Sequence, residues 1–299
     1  MNPQIITLCI AEHYIKVTFV NPKVNNYALI SSSQHFMVDE KPEDAEWLYE
    51  LIVDDDLQPI DKSRRDRIRD IESGNGNIIV DLLDDGGYQL IFKDTRGNEC
   101  SMMQSSKGFK QVKCALKGGY DSRHFGLANV MMISTSMAAS YHQTLFIHAS
   151  LVRHNGYGYP FCASSGTGKS THVSMWLRHI PNCDLMNDDN PIIRIIDGKA
   201  YIYGSPWSGK TPCYRNIKAP LGAMSRIDRA DHNYVEKLSP IEGFTSILPS
   251  CSAMKWDLES YHHLCDTVGK LVSIVPAYII HCLPDREAAE VSCAGIAVK

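Results

Sequence analysis

The stretch from Phe146 to Pro191 constrains this 299-residue chain more than any other. It reads as strand, hairpin, strand, glycine-rich loop, helix, strand and acidic pair. The loop is Ala163-Ser164-Ser165-Gly166-Thr167-Gly168-Lys169-Ser170, followed by Thr171. That is the phosphate-binding P-loop pattern with alanine in place of the first glycine. The residue types suit the chemistry. Consecutive backbone N–H groups must turn toward phosphate oxygens, and Gly166 and Gly168 permit the angles and the close approach. The following helix presents uncapped N–H groups and a positive dipole end to the same place. Lys169 would neutralise β/γ oxygens and the Ser170 hydroxyl would ligate Mg²⁺. Context supports the motif. Gly158–Cys162 is an apolar, aromatic run suited to a buried strand. Val173, Trp176 and Leu177 share one helix face at i, i+3, i+4.

Asp188 and Asp189 complete the pattern. Asp188 lies 19 positions beyond Lys169 (188 − 169), which leaves room for one helix and a returning strand over Cys183–Met186. Two carboxylates at a strand end beside such a loop can divide the work of phosphoryl transfer. One handles the proton of the attacking hydroxyl and the other holds Mg²⁺. The competing reading is a polar turn, since Asn187-Asp188-Asp189-Asn190-Pro191 is also strong turn chemistry.

Ser165-Gly166-Thr167-Gly168-Lys169-Ser170, the aspartate pair one helix and one strand later, and His148 on the strand pair before the loop together resemble the catalytic domain of HPr kinase/phosphorylase. That fold is related to phosphoenolpyruvate carboxykinase. The resemblance runs from Leu127 to the C-terminus and is strongest over His148–Pro191. It implies an ATP-dependent kinase with ATP and Mg²⁺ as cofactors, acting on a serine or other hydroxyl of a protein or small molecule. Carried over by position, Ala163 through Thr171 bind nucleotide, with Lys169 and Ser170 on phosphate and metal. Asp188 matches the general base/acid, Asp189 its neighbour near the metal, and His148 the active-site histidine. The N-terminal part does not resemble the family's regulatory domain, and the family's C-terminal substrate-docking segment has no match here. The acceptor is therefore open. Carboxykinase-like chemistry and a non-catalytic nucleotide-binding sensor are the rival readings.

The expected fold class is α/β (α+β): a mixed-sheet P-loop domain of HPr kinase/PEP carboxykinase type over residues 121–299, preceded by a β-rich N-terminal domain over 1–120. Hydrophobic residues at 44% and charged residues at 21% suit an ordinary globular protein. A net charge of −4 gives no basic field for nucleic acid or anionic membrane. Ten cysteines are scattered singly without a Cys-x-x-Cys, which suits reduced thiols and a cytoplasmic location. The first residues read as a strand rather than a signal peptide. Phe125–Val152 carries no Asp, Glu, Lys or Arg, but its Asn, Ser, Thr, His and Gln residues make it too polar for a membrane span. It predicts a buried helix over 126–141 and a core strand over 144–152. A nucleotide and a hydroxyl acceptor are the expected partners, and a homo-oligomer is open.

In the N-terminal part, residues 4–20 predict a hairpin and 28–38 a further strand. Residues 42–52 read either as a short helix or, from the alternation of Trp47, Tyr49, Leu51 and Val53, as a strand. Arg64, Arg65, Arg67 and Arg69 with Asp66 and Asp70 predict a solvated charged face. Gly74–Asn77 and Asp84–Gly87 predict hairpin turns, and 107–119 a strand pair. After the acidic pair, 191–196 and 200–203 predict a hairpin around Asp197-Gly198. It leads to Gly204-Ser205-Pro206-Trp207-Ser208-Gly209-Lys210. There Lys210 is a candidate charge for phosphate or acceptor, and Trp207 either a wall of the site or a core residue. Arg215 is either a clamp on the transferring phosphoryl group or a surface arginine. Ser239-Pro240-Ile241-Glu242 predicts a capped helix start. His262, His263 and His281 lack matched acidic partners at ligand spacing and read as structural.

Overall fold

The computed structural model describes residues 2–164, 166–209 and 211–298, with the backbone alone at Ser73. The expectations for Ser165 and Lys210 therefore lie outside the described residues. The chain divides into two compact units, Met1–Ala139 and Ser140–Lys299. It is a mixed α+β protein with several sheets, in which parallel and antiparallel pairs both occur.

The first unit holds β1 (Gln4–Ile10), β2 (His13–Phe19), β3 (Met37–Val38), β4 (Trp47–Val53), β5 (Arg65–Ser73), β6 (Gly76–Leu83), β7 (Tyr88–Lys93), β8 (Glu99–Ser105) and β9 (Gln111–Leu116). Among the described residues these nine form one sheet in the order β3-β1-β2-β4-β9-β8-β7-β6-β5. Pairs β2–β4 and β4–β9 are parallel, and the remaining pairs are antiparallel. The β1–β2 turn is built by Ala11 and Glu12, both at positive φ, the geometry that matches strand twist in a two-residue hairpin. Alternation buries Ile15, Val17 and Phe19 and settles 47–53 as a strand.

Helix α1 (Tyr120–Ser140) belongs with this unit almost to its end, so the division falls 19 residues later than 120 (139 − 120). Local contacts explain this. Ser101 Oγ donates to Gly126 O at 3.2 Å, and Tyr49 OH lies 3.0 Å from Thr135 Oγ1. Gly126 is required there, because a Cβ would sit 2.8 Å from the Cys100 carbonyl oxygen.

Three expectations change in this unit. Residues 27–36 form a 3₁₀ stretch (Tyr27–Phe36) rather than a strand, started by the Asn26 side chain accepting from Ala28 N. Residues 107–119 supply one strand after a short 3₁₀ turn, not two. Arg65 and Arg67 are not merely solvated, because both pair with Asp81, whose side chain is 1% exposed.

Among the described residues the second unit contains two sheets. Strands β10 (Thr144–Phe146), β14 (Ile192–Ile196), β15 (Lys199–Tyr203) and β16 (Lys218–Pro220) form a four-stranded sheet in the order β10-β14-β15-β16. The other sheet comprises β11 (Ala149–His154), β12 (Tyr157–Cys162), β13 (Cys183–Asp189), β17 (Met224–Arg229), β18 (Tyr234–Lys237) and β19 (Ala277–Cys282). Its order is β13-β11-β12-β17-β19-β18, and β12, β17 and β19 run parallel. The strand expected over 144–152 is thus two strands in different sheets, separated at Ile147-His148, where the chain hydrogen-bonds to Pro191 and Ser250 carbonyls instead.

Among the described residues four α-helices complete the unit: α2 (Lys169–His179), α3 (Pro240–Ile247), α4 (Leu258–Ile274) and α5 (Arg286–Ile296). Ser239 and Glu242 form a capping box at α3. One core joins both sheets to α4 through Leu145, Leu151, Ile193, Ile202, Met224 and Val268. A second lies against α2 and α5, centred on Trp176, whose Nε1 donates to Ser292 Oγ at 2.8 Å. Among the described residues no helix is long and apolar enough to cross a membrane.

Candidate active site

Three adjacent strands build the site. β11 lies between β12, which feeds the glycine-rich loop, and β13, which carries the acids. Register sets Ala149 opposite Cys162 on one side and opposite Asp189 on the other. Ser150 stands opposite Asp188. The β11–β13 pairing slips between Leu151 and Val152, where partners pass from Asn187 to Leu185. The extra residue, Met186, drops into the core. Such a bulge re-aims the side chains that follow it, here the two aspartates.

The loop from Ala163 leads directly into α2. Gly166 (φ +79°) and Gly168 (φ +123°) take conformations that disfavour side chains, and a Cβ at either would meet open space. Gly168 caps α2 without any side-chain hydrogen bond, so among the described residues the first-turn N–H groups have no side-chain cap. Arg229 donates from Nε to Thr167 O at 3.1 Å and from Nη2 to Gly166 O at 2.6 Å. A trans peptide points its N–H opposite to its C=O, so these contacts turn the Gly168 N–H away from the guanidinium. Open space, uncapped donors and a lysine suit an anion of triphosphate type.

Lys169 Nζ donates to Ala163 O at 2.9 Å and lies 3.0 Å from His148 Nε2. An ammonium group has no acceptor, so Nε2 accepts and the imidazole proton sits on Nδ1. From there it faces Asp189 Oδ1 at 2.9 Å. Lysine, imidazole and carboxylate thus form one chain. Asp189 holds φ +136°, a strained value for a non-glycine residue that costs of order 1–3 kcal/mol. Asn190 Nδ2 donates to its Oδ2 at 2.7 Å.

Asp188 is buried at 6% exposure, and each of its two carboxylate oxygens accepts one hydrogen bond, which leaves acceptor capacity free. Ser150 Oγ donates to Oδ1 at 2.6 Å, and Thr211 N to Oδ2 at 3.3 Å. Its backbone carbonyl accepts from Gly209 N and, at 3.0 Å, from Ser208 Oγ. The pair therefore ends a strand rather than forming a free polar turn.

Ser170 and Thr171 are exposed in the first turn of α2. Among the described residues no cluster of three or more His, Cys, Asp or Glu makes a ready metal cage. Mg²⁺ commonly takes one or two carboxylates and completes its shell with phosphates and water, so Asp189 and Ser170 fit that mode of binding.

The candidate substrate residues fare differently. Trp207 is half-buried against Phe146, with ring centroids 5.6 Å apart. Arg215 Nη1 donates to Asp184 Oδ2 at 2.7 Å and to the Leu185 carbonyl. Asp184 also takes a two-pronged contact from Arg153 at 3.0 and 2.9 Å. Burial would raise the Asp184 carboxyl, but the two guanidiniums outweigh it and hold it below the usual carboxylate range. Arg215 is thus engaged four residues back along β13 from Asp188. His281 pairs with Glu236 at 3.1 Å and His262 with Asp266 at 3.5 Å, both outside this constellation.

Sequence reading passed over four contributors: Ser150, Asn187, Thr211 and Arg229. Asn187 is fully buried, and its Nδ2 lies 3.2–3.4 Å from Ser205 O, Ser205 Oγ, Trp207 O and Cys213 O. It therefore fastens the 204–213 loop to β13. Ser150 had a readable signal, being two residues from His148 and so on the same side of an extended chain. The others act through a register and long-range contacts that no local pattern announces.

No family model matches this chain, and no curated protein matches it. Among solved structures, one similar chain is the Hpr(Ser) kinase/phosphatase from Coxiella burnetii, at 10% identity and a TM-score of 0.29. The alignment covers 49% of this chain and 85% of that one. Likeness at this level carries no functional argument.

Proposed function

We propose that this protein is an ATP-dependent phosphotransferase, passing the γ-phosphoryl group to a hydroxyl of a protein or small molecule, serine among them. One observation carries the reading: a single imidazole, His148, links the loop lysine to Asp189 at 3.0 and 2.9 Å, beside an Asp188 oriented by Ser150. A nucleotide anchor and a proton acceptor are thereby brought into one constellation.

A bound triphosphate with Mg²⁺ supplies the transferable group and masks the charge on its oxygens. The chain's own groups do the rest. Lys169 and the amides at the start of α2 hold the phosphates in place. Asp188 takes the proton of the acceptor hydroxyl as its oxygen bonds to phosphorus and the bond to the diphosphate breaks. Asp189 and Ser170 would hold the metal. His148 keeps its proton on Nδ1, fixing Asp189 on one side and Lys169 on the other.

The test uses γ-labelled ATP against a panel of peptides and metabolites. Wild type transfers label. Asp188→Asn loses about 10²–10⁴-fold in turnover while retaining nucleotide binding. Equal ATP binding by both proteins with no turnover in either would replace the enzyme with a sensor. Phosphate release at full rate without any acceptor would make it a hydrolase.

A further inference from the structure

We propose that an apolar cavity beside the glycine-rich loop holds the purine base of the nucleotide, by shape and apolar contact rather than by reading the base edge. This rests on the nucleotide reading above. The cavity has a volume of about 360 Å³ and includes Thr167 and Gly168 of the loop in its lining. Met175 from α2, Ile227 from β17, and Leu283 and Pro284 just after β19 supply apolar walls. The volume lies within the ~300–1,000 Å³ typical of small-molecule sites.

Topology gives the cavity its occupant. β12, β17 and β19 are parallel neighbours, and the cavity lies where their C-terminal ends open. Ligands of open α/β sheets bind in the crevice outside such ends. The acids stand on the opposite side of the loop strand, on antiparallel β13 beyond β11. A triphosphate whose terminal group faces His148 and the acids therefore directs its nucleoside toward β17 and β19.

Several polar groups around the cavity are already committed, and the hydroxyls of Thr167 and Thr171, which also line it, can each donate or accept and so suit either purine edge. His172 lines it, but its Nε2 lies 3.2 Å from Ser292 Oγ and its Nδ1 3.8 Å from Cys282 Sγ. Arg229 spends Nε and Nη2 on loop carbonyls. Ala230 N donates to Cys282 O at 3.3 Å, and Leu283 N to Asn233 Oδ1 at 2.9 Å. Sites that discriminate strongly between analogues do so with hydrogen-bonding groups left unpaired by the wrong one, whereas apolar pockets discriminate weakly. Adenine and guanine should therefore be accepted alike, and the smaller pyrimidines held less well.

Calorimetric titration with Mg-ATP, Mg-GTP, Mg-UTP and Mg-tripolyphosphate tests this. Wild type should bind ATP and GTP within about tenfold of each other. Met175→Trp and Ala230→Phe fill the cavity from two different elements. Each should lower ATP affinity by about tenfold or more while leaving tripolyphosphate affinity and the melting temperature unchanged. Two variants guard against a folding defect in one. The proposal is overturned if a folded variant binds ATP as tightly as wild type. It also fails if both ligands weaken equally, or if ATP and GTP differ by more than about 100-fold. Wild type binding neither ATP nor tripolyphosphate would instead remove the nucleotide reading itself.

Discussion

Protonation of His172 should govern the acid stability of the second unit. The ring is 4% exposed, stands edge-on to Phe161 with centroids 4.8 Å apart, and lies in the fourth position of α2. Burial pushes its pKa down from 6.5 to about 4. The unfolded chain thus binds the proton first. The stability contributed by the neutral ring is complete above pH 6.5 and is lost as pH falls from there toward 4. Between pH 7.5 and 5 the gap corresponds to about 2 kcal/mol, and to about 3 kcal/mol once pH 4 is passed. The perturbation is His172→Gln, which keeps a polar side chain beside Ser292 but cannot titrate. Urea unfolding of both proteins at a series of pH values, followed by tryptophan fluorescence, gives the difference directly, because every other titrating group is common to both. Wild type should lose about 2 kcal/mol more than the variant between pH 7.5 and 5. Parallel curves would show that the folded protein tolerates a charged ring at this position and would refute the burial argument.

Two further outcomes follow from the site. Asn187→Ala removes the amide that fastens the 204–213 loop and should destabilise the protein by about 2–4 kcal/mol, with raised amide exchange at Thr211 and Cys213 as the local readout. Gly168→Ala meets no steric obstacle yet must hold φ +123°, so it should cost of order 1–3 kcal/mol in thermal unfolding, and its largest effect should be on triphosphate affinity.

The elements that the sequence announced were those with local causes. The Asp197-Gly198 turn, the Ser239–Glu242 cap and the strand–loop–helix of 157–179 each follow from neighbours in the chain, and each is present. Residues 28–38 misled because Ile30 and Phe36 are buried from a 3₁₀ stretch, where burial carries no period of two. The apolar run 144–152 misled for a different reason. Both halves are strands, but nothing local says that they belong to different sheets. At the site, types and spacing brought out Lys169, Asp188 and Asp189, and the family resemblance added His148. Ser150 could have been found from its spacing to His148, whereas Thr211 and Asn187 became visible only through contacts between β13 and a loop about twenty residues on, which sequence distance hides. Arg215 illustrates the converse. A cation that follows the acids in sequence is taken up by Asp184, because β13 presents a third carboxylate four residues before Asp188.

The placement of β11 between the loop strand and the acid strand has a consequence for what such a protein can become. Two backbone-bonded rungs, each about 4.8 Å wide, separate the anchor from the carboxylates. That span is a ruler made of ladder bonds, and no side-chain exchange can shorten it. Any change in what the site acts on would have to come from the segments outside the ladder, such as the loop that Asn187 fastens, while the strand spacing stays constant.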